Sequence, residues 1–521
     1  MKKISQVQWK RYKDSAEGKE AISLFEKLGT PETSPEEMIK VAEKFDPAFF
    51  RNLSQKDINY LIECIVFYNN KIADLLESEN VEVKTTQDCL QIYMWLLDVS
   101  INDNPDLSFE EIPQKNFKAV LGENIAMSLA LYNIFGCFFI PNFFVMQFIF
   151  LQKLAKKYDL ELPEAPKRTD YRERCLYYYD ICAIFNHFLM ENGFETIAEL
   201  CAFVYDYEFP QIQEELENED DDEMPEVPQQ AWLLVGNYGE GEKDMSYGFW
   251  QANELTEKGD LMLFYEKSPV KAMNSMWIAQ QYGVVDPFFH YYSNTYIGQK
   301  IEIPEKYALT FQDFKNSEYF QSKGSKGNFV SKNFQDCSGW AVSREDYAEI
   351  LRMLKAKGLD TSILPRLYEP KKIGNVEIKL EKDVSEQLLI PLLERMGWAN
   401  GVDFKGEVEF NAGRTKTNHS SDKRPDFLLH ITETADDIEA KVAFEVKKFM
   451  KNGKEIEANF IQGRSYAKWG NVQVLVLCDE SQIRVYPRNR HGRFEQDEFV
   501  KFSWNDMENG DKFIELKRLL S

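Results

Sequence analysis

Two short hydrophobic segments lie close together late in the chain, RPDFLLH at residues 424–430 and VAFEVK at residues 442–447. Both are rich in branched and aromatic residues, and the polar residues between them are typical of a turn, so we predict two neighbouring strands. Alternate residues of a strand point to one face, which puts Glu445 and Lys447 on the same side. If the strands pair, Asp426 comes alongside. The sequence therefore predicts two carboxylates and an ammonium group converging at a sheet edge.

These three groups are suited to cutting a phosphodiester with a hard metal ion. Mg²⁺ prefers oxygen ligands, keeps several waters, and uses one or two carboxylates together with phosphate oxygens. The metal lowers the pKa of a bound water and offsets the negative charge that builds on the oxygens of the phosphorane. A nearby lysine orients that water or stabilises the developing charge. The alternative is an ordinary surface ion pair with no chemistry.

Elements on both sides of the two strands add to the pattern. A helix predicted over residues 383–396 places Glu386 at the rim of its apolar face, where a purely solvated glutamate is less expected. A later helix carries Gln462 and Tyr466, which share a face because they are four residues apart. Buried strands are predicted over residues 472–478 and 483–486. The apolar helix positions that follow the 3.6-residue period are Leu388, Leu389, Leu392, Leu393 and Met396.

The order of these elements resembles the PD-(D/E)XK nuclease superfamily, specifically the N-terminal nuclease domain of type I restriction subunits and RecB-like nucleases. The resemblance implies that Asp426 and Glu445 bind Mg²⁺ or Mn²⁺ and that Lys447 is catalytic. It implies accessory roles for Glu386, as an acid, and for Gln462 and Tyr466, which would position the phosphate or the lysine. A degenerate copy that only binds nucleic acid is the alternative. The chain has no phosphate-binding GxxxxGK[ST] loop, so the resemblance to type I subunits stops at the nuclease.

Composition limits what the whole chain can be. It has 521 residues, 44% of them hydrophobic, which is enough for about three domains with sizeable cores. A formal net charge of −24 argues against a general nucleic-acid coat, so we expect a local basic groove on an otherwise repelling protein. The eight cysteines lack metal-ligand spacing, and residues 1–4 show no signal peptide, so a reduced, cytoplasmic protein is expected. The basic residues of the expected groove are Arg414, Lys416, Lys423, Arg424, Lys447, Lys448, Lys451, Lys454, Arg484, Arg488, Arg490 and Arg493.

Residues 1–213 are predicted to form an α-helical domain for assembly or sensing, with a helix start at Ser34 and Pro35. Residues 124–152 carry no charge and are long enough to span a bilayer. Because Pro141 and several polar residues interrupt them, we predict two core helices joined at Pro141, which could also contact a partner subunit. Residues 214–229 are predicted to be an acidic linker, with mimicry of DNA as the alternative.

Residues 230–357 are rich in strands and aromatic residues, and they resemble the EVE branch of the PUA-like fold. The resemblance rests on Trp232, on the aromatic cluster from Tyr247 to Trp250, and on Gly259-Asp260 leading into Phe264-Tyr265. It implies a small barrel that reads a modified or flipped base, which needs aromatic walls and a few polar groups. Tryptophans of a small barrel that belong to its core are the alternative. The implied base-binding residues are Trp232, Trp250 and Trp340 as walls, with Asn237 and Ser338 as polar contacts.

Together these patterns predict a multidomain fold: an α-helical N-terminal region, a PUA/EVE-like β-barrel, and an α/β PD-(D/E)XK nuclease domain at residues 371–521. The expected function is that of a Mg²⁺-dependent DNA endonuclease of modification-dependent restriction or phage defence. Three alternatives stay open, namely an RNA-directed nuclease, a non-catalytic nucleic-acid-binding scaffold, and a membrane-associated effector. Expected partners are DNA, with RNA as the other candidate, and a second copy or another subunit through the helical region.

Overall fold

The computed structural model describes most of the chain. The described residues are 2–51, 53–79, 85–102, 104, 106–218, 225, 227–237, 248–372, 374, 376–406, 425–433, 438–467, 472–489 and 492–521. A helical N-terminal region is followed by two mixed β-sheets with interspersed helices, and the first sheet curls into a half-barrel. This confirms the expectation of a multidomain chain with a helical N-terminus. One compact unit comprises residues 1–342 and 348–365, and the other comprises 343–347 and 366–521. The finer boundaries at 213, 229, 357 and 371 stay predictions.

The helices of the N-terminal region enclose a large aromatic core. The expected helix start is confirmed at Ser34, whose hydroxyl accepts a hydrogen bond from Glu37 N at 3.3 Å while Pro35 occupies the first turn. A π-helical turn at Phe203–Glu208 separates the last two helices. The helices are α1 Gln6–Lys13, α2 Ala16–Leu28, α3 Pro35–Phe45, α4 Pro47–Arg51, α5 Gln55–Glu79, α6 Thr86–Ile101, α7 Gln114–Leu121, α8 Asn124–Phe135, α9 Phe148–Tyr158, α10 Tyr171–Asn192, α11 Ile197–Ala202 and α12 Phe209–Asn218.

The uncharged stretch forms two core helices, α8 and α9, as predicted. Residues 136–147 between them are a non-helical connection, buried over residues 138–145, rather than a joint at Pro141. Buried backbone must find hydrogen-bond partners, and here distant side chains supply them. Tyr178 donates to Ile140 O at 2.6 Å and Tyr205 donates to Pro141 O at 2.5 Å. In the part of the chain that the structure describes, no helix has the length and apolar character needed to span a membrane.

The curled sheet follows the helical region and has the strand order β2-β6-β4-β3-β1-β8, with β5 paired to β6 and β7 paired to β4. All neighbouring strands of this sheet are antiparallel except β1 and β3, which run parallel. The two ends of this order approach each other, because Asn253 Nδ2 donates to Gly339 O at 3.0 Å. The strands are β1 Ala231–Gly236, β2 Gly248–Gln251, β3 Leu261–Glu266, β4 Ala272–Ala279, β5 Val284–Val285, β6 Ser293–Glu302, β7 Leu309–Thr310 and β8 Trp340–Val342. The helices that follow β7 and β8 are α13 Phe311–Asn316, α14 Glu318–Ser322 and α15 Arg344–Ala356.

The helical region packs against the half-barrel through a buried polar junction. Arg174 of α10 is fully buried and donates to Pro287 O at 3.0 Å and to Phe289 O at 2.5 Å. Asp286, also buried, accepts from Met146 N at 2.7 Å. Burial raises the pKa of Asp286 to about 7, although hydrogen bonds from backbone N–H groups and the charge of Arg174 oppose the shift. These partners explain how two polar side chains are tolerated between apolar surfaces.

The second sheet has the strand order β14-β13-β12-β11-β10-β9, and only β11 and β12 run parallel. Its strands are β9 Phe404–Gly406, β10 Phe427–Glu433, β11 Ile438–Val446, β12 Val474–Cys478, β13 Ile483–Pro487 and β14 Val500–Phe502. Its helices are α16 Glu381–Val384, α17 Ile390–Arg395, α18 Gly453–Ala467 and α19 Gly510–Leu520. Helices α16, α17 and α19 pack on one face of the sheet, and α18 packs on the other.

The helix predicted over residues 383–396 is present, but it is not a regular α-helix. A π-helical turn at Ser385–Leu389 connects α16 to α17. Pro391 lies at the start of α17 and has no N–H to donate to the preceding turn, so a widened turn before it is expected. The five apolar positions assigned to the core by periodicity are all buried.

Candidate functional site

The first candidate site lies where β10 begins and β11 ends. The two strands are antiparallel, and Phe427 pairs with Phe444. Asp426 precedes β10 and is held by two contacts, since its N–H donates to Phe444 O at 3.0 Å and its Oδ2 accepts from Val446 N at 2.6 Å. The backbone at the end of β11 therefore fixes the carboxylate of Asp426, which lies at the start of β10.

Asp426, Glu445 and Lys447 meet at this point. The ammonium nitrogen of Lys447 lies 2.6 Å from Glu445 Oε1 and 4.0 Å from Asp426 Oδ2. It also donates to Val446 O at 3.0 Å. Strand alternation places Glu445 and Lys447 on one face, and the antiparallel pairing brings Asp426 beside them. The convergence predicted from the sequence is thus present, with the ammonium group as the cation that both carboxylates share.

Burial dominates the electrostatics of Glu445. The residue is 2% exposed, and its Oε2 has no hydrogen-bond partner among the described residues. Burial raises the pKa of Glu445 to about 7, the carboxylate of Asp426 adds to the rise, and the ammonium of Lys447 opposes it. For Lys447, burial lowers the pKa, but the hydrogen bond and charge of Glu445 outweigh burial and the net shift is upward. Lys447 is therefore a charged ammonium at neutral pH, beside a carboxyl group that titrates near neutrality.

The acid that approaches this cluster from the preceding helix is Glu381, which the sequence analysis did not identify. Glu381 Oε1 lies 3.7 Å from Lys447 Nζ. Glu386, the residue expected to be the accessory acid, is exposed and lies 3.1 Å from Lys382 Nζ. Periodicity identifies the buried stripe of a helix, but it does not say which turn lies over the strand ends. Glu381 is the first residue of α16 and lies outside the helix predicted over residues 383–396, so the sequence pattern did not point to it.

Gln462 and Tyr466 lie on α18, which packs on the same sheet. Gly463 allows the close approach of this helix, because a Cβ there would lie 2.7 Å from Leu475 Cδ1 on β12. Phe460 and Ala467 are also buried, so the buried stripe of α18 passes through Gly463. Gln462 is exposed beside this stripe. The side chain of Tyr466 lies outside the described residues, and its role stays a prediction.

The donor set of this cluster fits a hard divalent cation with few protein ligands. Asp426 and Glu445 offer carboxylate oxygens, and Oε2 of Glu445 is an acceptor with no partner among the described residues. No group of three or more His, Cys, Asp or Glu side chains arranged for a metal occurs in the described part of the chain. One or two carboxylates completed by waters and phosphate oxygens is the coordination that Mg²⁺ commonly has in phosphate-processing proteins.

The second candidate site lies at the seam where the half-barrel curls on itself. The ring of Trp250, on β2, packs edge-on against Phe264 with a centroid separation of 5.1 Å. It also lies directly over Gly236 at the end of β1, where any side chain would collide with it. The next residue, Asn237, is exposed and donates from Nδ2 to Ser268 O at 3.1 Å. The seam thus combines a half-buried indole, bare backbone and an amide.

Ser338 and Trp340 border the same end of β1. The hydroxyl of Ser338 accepts from Val235 N at 3.2 Å, and Trp340 pairs with Leu233 across β1 and β8. Residues directly opposite each other in antiparallel strands share a face, so Trp340 lies on the face of Leu233. The interior face, which carries Trp232, is the other one. Trp250 and Trp340 therefore do not form two walls on one side of the sheet.

Trp232 is a core residue in this structure. It is 1% exposed, and its indole Nε1 donates to Asp260 Oδ2 at 2.7 Å. Its ring packs with Phe264 and Trp277 in the interior of the half-barrel. Both faces of the ring are covered, so stacking of a base on Trp232 would require the core to open.

The structure thus brings Asp426, Glu445 and Lys447 together. Of the residues predicted to bind a base, Trp250, Asn237 and Ser338 lie near the end of β1, whereas Trp232 lies in the core and Trp340 lies on the other face. Comparison of the chain with models of protein families, with curated proteins and with solved structures finds no match.

Proposed function

We propose that this protein is a metal-dependent phosphodiesterase that cleaves DNA. The observation that carries the proposal is the meeting of Asp426, Glu445 and Lys447 at one sheet edge, with a buried carboxylate oxygen that has no partner among the described residues. Two hard oxygen donors beside a lysine are the equipment expected for hydrolysis of a phosphodiester with Mg²⁺ or Mn²⁺. The order of helices and strands around them supports the resemblance to PD-(D/E)XK nucleases.

In this proposal Asp426 and Glu445 hold the metal, which when bound supplies an activated water and positive charge for the phosphate. Asp426 is suited to this because the Val446 N–H fixes its orientation. Lys447 places its ammonium where negative charge builds on the phosphate oxygens. Glu381 positions Lys447 and helps to keep it charged. The accessory roles of Glu386, Gln462 and Tyr466 remain predictions from the resemblance.

The half-barrel is proposed to read a base that has been taken out of the stack. An extruded base needs an aromatic surface and a few polar groups for its edge. Trp250 with Gly236 supplies a half-buried indole beside bare backbone, and Asn237 and Ser338 supply an amide and a hydroxyl at the same end of β1. A base reader joined to a nuclease supports modification-dependent restriction or phage defence as the biological role.

The test is digestion of phage genomes that carry different base modifications, with unmodified DNA and matched RNA as further substrates, by the purified full chain with Mg²⁺ or Mn²⁺. We expect cleavage of a modified DNA, with loss of at least a hundredfold in rate for Glu445→Gln and Lys447→Ala, the order of magnitude of losing one electrostatic catalytic group. Lys512→Ala is the matched control, because this exposed lysine pairs with Glu515 on α19, away from the cluster. Inertness of the wild type on every substrate would contradict the proposal, and cleavage of RNA alone would redirect it.

A structural ion pair is the second candidate, favoured by the 2.6 Å contact that already neutralises Glu445 with Lys447. Calorimetric titration with Mg²⁺ separates the two. A nuclease site binds the ion with an affinity that falls in Glu445→Gln, whereas a structural pair shows no binding in either protein.

A further inference from the structure

In the second sheet, a row of paired residues runs across neighbouring strands from Glu445 on β11 to β14. Register across β11, β12, β13 and β14 aligns Glu445 with Leu477, Leu477 with Arg484, and Arg484 with Lys501. Paired residues of neighbouring strands project to one face, and Leu477 contacts the core beneath α18. Arg484 and Lys501 therefore share the face on which Glu445 and Lys447 meet.

Spacing along this row follows from the separation of strands. Neighbouring strands are about 4.8 Å apart, so Arg484 lies about 10 Å and Lys501 about 14 Å from Glu445 along the row. Each strand of a duplex rises about 3.4 Å along the helix axis per nucleotide, so the row spans only a few nucleotides. A backbone segment with one phosphate near Glu445 therefore has other phosphates within reach of Arg484 and Lys501.

Arg484 is held in place before any ligand arrives. Its guanidinium lies 4.7 Å from the ring centroid of Phe499, and its Nε donates to Gln482 Oε1 at 3.1 Å. Phe499 in turn packs on Tyr486 with a centroid separation of 5.4 Å. Stacking on an aromatic face leaves the outer edge of a guanidinium free for phosphate and lowers the entropy lost on binding.

The accessible part of the row is its far end on β13 and β14, because Glu445 and Leu477 are buried. Arg484 is half-buried, Lys501 is exposed, and the ring of Phe499 is 36% exposed. Neither Arg484 nor Lys501 forms an ion pair within the described ranges. Helix α18 covers the adjacent row, which contains Leu475 and Tyr486. Gly463 of α18 lies against Leu475, and the ring centroids of Phe460 and Tyr486 are 4.9 Å apart. The helix therefore borders the track on one side.

We propose that Arg484 and Lys501 form a phosphate track on β13 and β14 that binds the sugar–phosphate backbone of the nucleic acid beside the end of β11 that carries Glu445. The proposal rests on the proposed function, because it names the surface through which the same site receives its substrate. Of the twelve basic residues expected from the sequence to line a groove, the proposal assigns phosphate binding to Arg484. It adds Lys501, which was not among them.

The test measures binding separately from cleavage, by fluorescence anisotropy of a labelled DNA duplex and a labelled single-stranded RNA, with the full chain in EDTA. Salt is varied, because each phosphate contact contributes about 0.9 to the slope of log affinity against log salt for duplexes and about 0.7 for single strands. For Arg484→Ala combined with Lys501→Ala, we expect the slope to fall by about 1.8 on duplex DNA or about 1.4 on single-stranded RNA. The nucleic acid with the larger change identifies the source of the phosphates.

Two controls keep the result interpretable. Lys512→Ala removes a lysine on the opposite face, where its Nζ lies 5.9 Å from the centroid of Phe502, and its slope should match the wild type. Arg484→Lys keeps the charge and should retain most of the slope, which separates loss of contact from loss of fold. An unchanged slope in the double variant, or no binding of either nucleic acid by the wild type, would overturn the track. Cleavage is assayed in parallel with Mg²⁺: a reduced slope without cleavage would keep the track and reject the nuclease, and cleavage with an unchanged slope would do the reverse.

Discussion

The raised pKa of Glu445 makes a quantitative prediction about stability. Raising the pKa of this carboxyl from its ordinary 4.5 to about 7 means that the folded protein binds a proton which the unfolded chain has already released. The unfolding free energy should therefore fall as pH rises from below 4.5 to above 7, by about 3 kcal/mol. Because Glu445 is 2% exposed, solvent screening reduces this figure little.

Glu445→Gln isolates the effect, since glutamine has the same shape and does not titrate. The difference in stability between the two proteins should be small below pH 4.5 and should reach about 3 kcal/mol in favour of the variant above pH 7. For a unit of the size of residues 366–521, this corresponds to about 6–12 °C in midpoint temperature. Scanning calorimetry of both full-length proteins over this pH range measures the difference in midpoint temperature. The relevant unfolding transition is the one whose midpoint changes in the variant.

Mg²⁺ provides the second arm of the same experiment. An ion that binds only the folded, ionised site stabilises the wild type at pH above 7 and has little effect below pH 4.5, where Glu445 holds its proton. Glu445→Gln should respond weakly at every pH. Wild-type and variant curves that run parallel across the whole range would refute the assigned burial effect, and an equal response of both proteins to Mg²⁺ would refute the assigned ligand.

Three further substitutions test the packing that positions the sites, each through urea or thermal unfolding of the full chain. Gly463→Val should lower the unfolding free energy by about 1–3 kcal/mol, because its side chain would overlap Leu475 between α18 and β12. Arg174→Met should cost about 3 kcal/mol, since the carbonyls it serves at the junction lose a charged donor. Asn142→Ala should cost about 1–3 kcal/mol, because the 2.6 Å hydrogen bond to buried Asn124 Oδ1 is lost. A loss below about 0.5 kcal/mol in any of them, the level of a neutral surface change, would contradict the corresponding contact.

The acid cluster could be predicted because its geometry follows from short-range rules. Two residues separated by one position on a strand share a face, whatever the rest of the fold does. Turn-like residues between two strands make antiparallel pairing the expected arrangement, and this pairing brings Asp426 beside Glu445. Glu381 could not be found in this way, because its approach depends on how α16 lies over the sheet and on the widened turn before Pro391.

For the tryptophans of the half-barrel, in contrast, the sequence did not predict which face of the sheet each side chain occupies. Composition correctly indicates that tryptophans belong to the half-barrel, but the face on which each one lies depends on strand register. Trp232 alternates into the interior and finds Asp260, while Trp340 is paired with Leu233 and lies on the other face. Only the curling of the sheet, which brings β2 to the end of β1, places Trp250 over Gly236. No local sequence pattern carries that long-range contact.

The uncharged stretch in the helical region was ambiguous for a physical reason. Hydropathy cannot separate a bilayer from a large protein core, since both exclude water. The difference lies in the connection at residues 136–147, whose carbonyls accept hydrogen bonds from Tyr178 and Tyr205. Those donors lie far along the chain, so periodicity predicted the two helices but not the buried connection between them.

The net charge of the chain bears on how selective the proposed phosphate track would be. A chain with a formal charge of −24 repels a polyanion, and at physiological ionic strength the repulsion between exposed charges is screened beyond about 8 Å. Arg484 and Lys501 act at contact distance, within that range, so attraction is confined to a segment that presents its backbone to the row. Removing the row should therefore weaken binding to all sequences alike, whereas removing the Trp250 ring should weaken binding to the preferred base only.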